Sequence, residues 1–338
     1  MPIVFITKMD GGGMETFCIG LLRAWAAQGT ATTLYSSYSG GVRNADVPTG
    51  VERVCWNTRA RDSFWRMAKW LKTRPDDPCL ALSQELAVVL LVLKKFRLIK
   101  NRIYYRESTD VACHYSKRFQ RLMRWLWPCC SGIIEQSWSG LDATRRLCGG
   151  RLPPCCVVRN IMGRVDGKAM FSMREGKVIR IGCVGCFKPM KGQMLLVEEL
   201  VTEARQGWRL AFWGEGELRA KVERVVEERG LEGNIKFNDW VAERSCIYDQ
   251  CDVVVIPSDY EGLPNVMIEA LLYGKRVSVR PTCTGACELL REIGLAETWP
   301  WRRTLEVPTE KWVAARERLA KICDPQRVGA ELLSFIGC

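Results

Sequence analysis

Residues 257–274 read PSDYEGLPNVMIEALLYG and hold two carboxylates eight positions apart, Glu261 and Glu269. The preceding run, CDVVVIP (251–257), is apolar and rich in β-branched residues, the pattern of a strand covered on both faces of a parallel sheet. SDYEG has turn chemistry, and Pro264 and Asn265 suit the first turn of a helix. VMIEALLY is apolar on almost every side, and Gly274 is placed as a C′ glycine. Glu269 is thus the one charge on a buried helix, where a carboxylate needs a partner or a cavity that a ligand fills. Glu261 lies beyond the carboxyl end of a strand, where open α/β sheets bind ligands and helix N-termini offer N–H groups to anions. Two readings stay open. Both carboxylates face a ligand, or Glu269 pairs with an arginine and Glu261 is a solvated loop residue.

Glycine-rich turns point to a phosphate. TKMDGGGMETF (7–17) follows the first apolar run and opens a helix, and VGCFKPMKG (184–192), with Lys188 and Lys191, does the same in the second half. WGEG (213–216) closes the next strand. Glycines in such turns let backbone N–H groups approach a phosphate, although the GxGxxG dinucleotide spacing is absent. Glycine turns, helix N-termini and two lysines on the same edge of two sheets describe a cleft for a phosphorylated ligand. Metal and redox chemistry are not expected. The 17 cysteines are odd in number and scattered, CVGC (183–186) has no second pair at matching spacing, and His114 is the one histidine.

These residues need a scaffold, and both halves of the chain supply the same one. Of 338 residues, 47% are hydrophobic and 26% charged, as in a globular protein of two domains. Strands are expected near 2–7, 31–36, 79–83, 102–105, 131–135 and 155–159, and again near 178–185, 209–214, 235–238, 252–257 and 276–280. Helices are expected near 13–28, 62–73, 85–98, 113–127 and 138–147, then 192–206, 216–229, 243–250, 264–273 and 284–292. This is the βαβ alternation of a doubly wound parallel sheet, occurring twice. The polar, glycine-bearing stretch 162–177 reads as the join, and 309–322 as an amphipathic helix. The longest clean apolar run, LAVVLLVL (86–93), is far short of a bilayer span, and MPIVFITKM reads as a first strand rather than an export leader.

Charge is uneven. The chain carries +12, yet residues 1–165 hold 25 Lys and Arg against 12 Asp and Glu, and the remainder is nearly balanced. FWRMAKWLK (64–72), KKFRLIKNR (94–102) and KRFQRLMRWLW (117–127) interleave that charge with aromatics. The combination suits an anionic membrane surface or nucleic acid, or else ordinary amphipathic helices with a solvated basic face.

EGLPNVMIEALLYGKRV resembles the E-x7-E signature of the retaining GT-B glycosyltransferases of family GT4. GGGMETF resembles that family's N-terminal glycine loop, and IGCVGCFKPMKG its "vGRl…KG" segment. YYRESTD (104–110) with SGIIEQS (131–137) resembles the pattern of a subgroup building polysaccharides and lipid-linked glycans, and VVRN (157–160) fits the segment before the interdomain linker.

The resemblance implies two Rossmann-like domains facing across a cleft. The N-terminal acceptor domain would span 1–165, with the segment 309–338 crossing back onto it, and the nucleotide-sugar domain would span 166–308. It implies ribose bonding by Glu269, and donor sugar and diphosphate contacts from Glu261 with the Gly262, Leu263, Pro264 and Asn265 backbone. It places Lys191 on the diphosphate with Gly12 and Gly13 opposite, and counts Lys188 and Gly214 in the donor site. Trp240 and Val241 would lie at the base, and Glu107 near the sugar. Glu261, Lys191 and Glu107 are the residues it ties to catalysis. It further implies retention without a metal or cofactor, in keeping with the absence of any Asp-x-Asp, and a hexosyl donor leaning towards UDP-sugars. The expected partners are that donor, a membrane-associated glycan acceptor such as a lipopolysaccharide core or lipid-linked oligosaccharide, and an anionic membrane surface. No nucleic acid and no obligate protein partner are expected, and the location would be the cytoplasm, peripheral on the inner face of the membrane. One departure stands out: the family's arginine before the lysine is Cys186 here, which removes a bidentate diphosphate ligand that Lys188 cannot reproduce. Rival readings are a degenerate nucleotide-binding protein and a basic nucleic-acid-binding protein.

Overall fold

The computed structural model describes every residue except 110, 164, 166–170, 172–177, 204–206, 240 and 242, and only the backbone of 112 and 114. The chain forms two compact units, one of Met1–Gly163 with Ile322–Cys338 and one of Arg164–Lys321. The expected join at 162–177 lies largely outside the described residues.

The first unit contains β1 (Ile3–Ile6), β2 (Thr33–Ser36), β3 (Glu52–Cys55), β4 (Cys79–Ala81), β5 (Ile103–Arg106), β6 (Gly132–Glu135) and β7 (Cys155–Val157). They form one parallel sheet in the order β3-β2-β1-β4-β5-β6-β7. Its helices are α1 (Gly13–Ala27), α2 (Phe64–Lys72), α3 (Gln84–Lys95), α4 (Val111–His114), α5 (Lys117–Leu126) and α6 (Trp138–Cys148). The period-two alternation of the strands divides the core. Phe5, Tyr35, Ala81, Tyr105 and Ile133 pack with Met67, Leu90 and Met123 on one face. Val4, Leu34, Leu80, Tyr104 and Ile134 pack with Phe17, Leu21 and Trp25 on the other.

Two differences from expectation have local causes. β3 was not expected: it is an edge strand with Glu52 and Arg53 exposed, so it lacks the apolar run that marks its neighbours. The single helix expected over 113–127 is two helices, because Ser116 N-caps α5 by accepting a 3.3 Å hydrogen bond from the Phe119 N–H.

The second unit contains β8 (Ile179–Val184), β9 (Trp208–Trp213), β10 (Ile235–Asn238), β11 (Val253–Ile256) and β12 (Arg276–Val279), parallel in the order β10-β9-β8-β11-β12. Its helices are α7 (Gln193–Val201), α8 (Arg219–Glu228), α9 (Arg244–Tyr248), α10 (Asn265–Leu272), α11 (Thr284–Glu292), α12 (Arg303–Glu306) and α13 (Thr309–Ile322).

The allocation of the whole segment 309–338 to the first domain is corrected. α13 is built into the second unit: Trp312 is fully buried, stacks on Phe171 at 6.1 Å between centroids, and lies 5.8 Å below the Arg276 guanidinium. Among the described residues Arg276 has no carboxylate partner, and it donates instead to the Thr304, Val307 and Phe171 carbonyls and the Thr309 hydroxyl. Only α14 (Pro325–Ile336), N-capped by Asp324, belongs to the first unit. It lies tightly on α1. Trp25 Nε1 donates to the Gly329 carbonyl at 2.9 Å, and a Cβ on Gly329 would stand 2.9 Å from that of Ala24.

Candidate functional site

In the second unit the strand order reverses at β8, whose neighbours β9 and β11 lead to opposite sides of the sheet; ligands of open α/β sheets bind at such a point. The segment leaving β8 makes a short 3-10 turn, Pro189–Lys191, and ends at Gly192 with φ +68°. A Cβ on Gly192 would stand 2.1 Å from the Pro257 carbonyl oxygen, so glycine lets this turn press against the end of β11. The Asp259 N–H fastens the two loops by donating to the Met190 carbonyl at 2.8 Å. That approach sets Lys191 Nζ 2.9 Å from Glu261 Oε1. Ser258 Oγ donates to the same oxygen at 2.5 Å, and the Ser258 carbonyl is held by Thr282 Oγ1 and Cys283 Sγ. Gly214 is a packing glycine: at φ +139° its backbone lies against the Gly185 carbonyl, so the loops beyond β8 and β9 touch. Cys186 and Lys188 are exposed, and among the described residues Lys188 makes no ion pair.

α10 starts directly beyond this loop, with Pro264 as its N-cap and Asn265 as its first residue, and Gly274 at φ +71° ends it as expected. Glu269, 8% exposed, has protein partners. The Tyr248 hydroxyl donates to Oε2 at 2.7 Å, and Arg244 Nε lies 3.8 Å from the same oxygen. Tyr248 is fully buried and stacks on Tyr273 at 4.9 Å, and burial pushes its hydroxyl pKa far up, so it acts as a neutral donor. Among the described residues nothing bonds Oε1. The alternative in which Glu269 pairs with an arginine is met in part, with Arg244 near one of its oxygens. Val241 is half-buried, and Trp240 lies outside the described residues.

In the first unit Gly12 is the N-cap of α1, with extended backbone, and Gly13 is its first residue. Glu15, in the third helical position, folds back over them: its Oε2 would stand 2.6 Å from a Cβ on Gly12. Burial raises its pKa, against the pull of the Glu15 and Gly12 N–H groups. The Gly12 N–H thus has a carboxylate beside it, the half of a capping box that reaches back from N3 to the N-cap.

Glu107 lies at the start of the loop beyond β5. It is 1% exposed, and its carboxylate is enclosed by its own unit. Oε1 accepts from the Ser108 N–H at 2.9 Å and from the Thr109 N–H and hydroxyl, and Oε2 accepts from the hydroxyls of Tyr105 and Tyr115. Glu107 therefore fixes the loop beyond β5.

Sequence reasoning thus brought together Lys191 and Glu261 and placed Glu269 on the adjoining helix, but missed Ser258, Tyr248, Arg244 and Glu15. Arg244 and Tyr248 are four apart on α9, a spacing that puts both on one helix face and was available as a signal.

Residues 178–300 match the family profile described as Glycosyl transferases group 1. The amylovoran biosynthesis glycosyltransferase AmsD of Erwinia amylovora is 26% identical over 241 residues, covering 68% of this chain and 65% of AmsD, just under two thirds of that relative's length. The crystal structure of Anabaena Alr3699/HepE in complex with UDP superposes with a TM-score of 0.78 at 18% identity over the whole of both chains. The lipopolysaccharide outer core galactosyltransferase WaaB superposes with a TM-score of 0.73 at 15% identity, covering 100% of this chain and 99% of that one.

Proposed function

We propose that this chain, a GT-B glycosyltransferase of group 1, transfers a hexose from a nucleotide sugar, favouring UDP, to a hydroxyl of a membrane-associated glycan with retention at the anomeric carbon. The observation that carries the reading is the Lys191–Glu261–Ser258 group at the switch point, with Glu269 on the helix that follows, all within the segment matching the group 1 profile. HepE was crystallised with UDP and with UDP-glucose, which supports the choice of base. The likeness to AmsD, of amylovoran biosynthesis, and to WaaB, a lipopolysaccharide outer core galactosyltransferase, supports a glycan acceptor.

In this reading the ligand exchanges partners with the protein. Lys191 leaves Glu261 for the diphosphate, and Glu261, kept in place by Ser258, accepts from the donor sugar hydroxyls. Glu269 Oε1 accepts from the ribose while Tyr248 holds Oε2. The 262–265 backbone and the α10 N-terminus face the phosphates. The bond from the anomeric carbon to the diphosphate breaks, and a bond to the acceptor oxygen forms on the same face. The acceptor proton passes to the departing phosphate oxygen. Stabilising the diphosphate charge is the main catalytic demand, and a lysine with a helix N-terminus supplies it without a metal or cofactor. Gly12, Gly13 and Lys188 are assigned to the diphosphate, Trp240 and Val241 to the base, and Glu107 to positioning alone.

The test is a thermal-shift titration with UDP, GDP, ADP and CMP, followed by transfer from the sugar nucleotide of the stabilising base to lipid-linked glycans. Stabilisation by one nucleotide and a product of retained configuration are expected. Cys186 in place of the family's arginine favours a second reading, a nucleotide binder without transfer. Stabilisation with the donor left intact would select it.

A further inference from the structure

β10 is the outer strand of the second sheet, so the loop that leaves it, through Asp239 to Val241, has only the loop beyond β9 beside it in the sheet. One side chain joins these two loops. Arg219 Nη1 donates to Asp239 Oδ1 at 2.6 Å and to the Gly214 carbonyl at 3.3 Å, while Nε donates to Glu223 Oε1 at 2.9 Å. Among the described residues no other side chain hydrogen-bonds to Asp239 or Val241. The inner loop is fixed in turn. The Phe187 N–H donates to the Glu215 carbonyl at 2.9 Å, and the Leu218 N–H donates to the Phe187 carbonyl at 3.2 Å. Arg219 thus passes the placement of the loops beyond β8 and β9 on to the outermost one.

The position of Arg219 in its helix is an independent observation. It is the first residue of α8, where a cation faces the positive end of the helix dipole. Its bond to Asp239 contributes little to stability either, because the Asp239 side chain is 79% exposed. Neither the helix nor the stability of the unit accounts for an arginine here; the placement of Asp239 does.

We propose that Arg219 is a positioning residue for base selectivity, holding the backbone around Val241 where it matches the edge of one nucleobase. Val241, two residues beyond Asp239, lies at the base in the donor reading above, on which this proposal rests. Polar groups that pair with one base edge are left unpaired against another, and they discriminate only when held to within about 0.5 Å. A loop on an outer strand needs a tether to be held so closely, and Arg219 is that tether.

The test is titration calorimetry of the full chain with UDP, GDP, ADP and CMP, the wild type beside R219A, R219K and D239N. R219A should weaken Kd for the preferred nucleotide about tenfold, as loss of one charge-assisted hydrogen bond predicts. Kd for the other three should be unchanged, since they gain nothing from the ordered loop, so the preference narrows by the same factor. D239N keeps an acceptor without the charge and should show a smaller change in the same direction. R219K should recover Tm but not the preference, because an ammonium cannot hold Glu223, Gly214 and Asp239 together as the guanidinium does. Tm of all three should stay within about 4 °C of the wild type. A preference equal to wild type in R219A and D239N overturns the proposal, and so does an equal weakening of all four nucleotides, the mark of a merely structural arginine. A wild type that binds none of the four overturns the donor reading itself, and the proposal with it.

Discussion

Replacing Tyr248 by phenylalanine tests how Glu269 is held. The substitution removes one hydroxyl and leaves a ring of the same size in a fully buried place, so packing is preserved. The lost bond is the 2.7 Å donation to Glu269 Oε2. A hydrogen bond to a charged group contributes about 1.5–3 kcal/mol. Arg244 stays 3.8 Å from that oxygen and Glu269 retains 8% exposure, so the lower end applies, about 1.5 kcal/mol. For a unit of this size that lowers Tm by roughly 3–6 °C. Nucleotide gives a second reading. At 100 times Kd a ligand adds about 2.7 kcal/mol, and a tenfold weaker Kd removes about 1.4 kcal/mol of it. Y248F should therefore show a smaller nucleotide-induced shift than wild type, and Glu269→Ala almost none. An unchanged Tm for free Y248F would refute the energetic argument. A full nucleotide shift in Glu269→Ala would refute the ribose assignment.

Two further perturbations separate stability from chemistry. Glu261→Gln keeps an oxygen for Ser258 and removes the charge facing Lys191; because the pair is partly exposed, stability should change by less than about 1 kcal/mol. Its transfer kcat/KM should fall by roughly 10–100-fold, whereas Lys191→Ala, which strips the diphosphate of its cation, should lose roughly 100–1,000-fold in kcat. Glu15→Gln has a pH signature. The folded-state pKa of Glu15 is raised from 4.5, so the folded chain holds this proton more tightly than the unfolded chain does. Stability contributed by Glu15 is then present below 4.5 and lost as pH rises through the folded value. The Tm of the variant relative to wild type should rise from pH 4 to pH 7, and a relative fall over that range would contradict the burial argument.

Strands covered on both faces were legible because each is a short, nearly unbroken apolar run, and the carboxyl ends of those runs located the glycine turns, Lys191 and Glu261. What escaped depended on exposure or on distant partners. β3 has an edge strand's polar sequence. α5 begins where a serine outcompetes the continuous helical periodicity of 113–127. Glu107 gave no sign that Tyr105 and Tyr115 would enclose it, since a tyrosine hydroxyl directed at a carboxylate leaves no periodic trace. Trp312 reads as one apolar position on an amphipathic helix, but its burial beneath Arg276 decides which unit α13 joins.

The path of α14 has a consequence for synthesis. The bond from Trp25 to the Gly329 carbonyl spans 304 positions, and everything that forms the second unit is threaded between them. A chain emerging from the ribosome can finish its second unit before the first, whose helix α1 waits with its outer apolar face uncovered until residues 325–336 appear. The unit that starts first thus closes last, and a chain stopped before residue 325 would present that face to chaperones and proteases with nothing of its own to cover it.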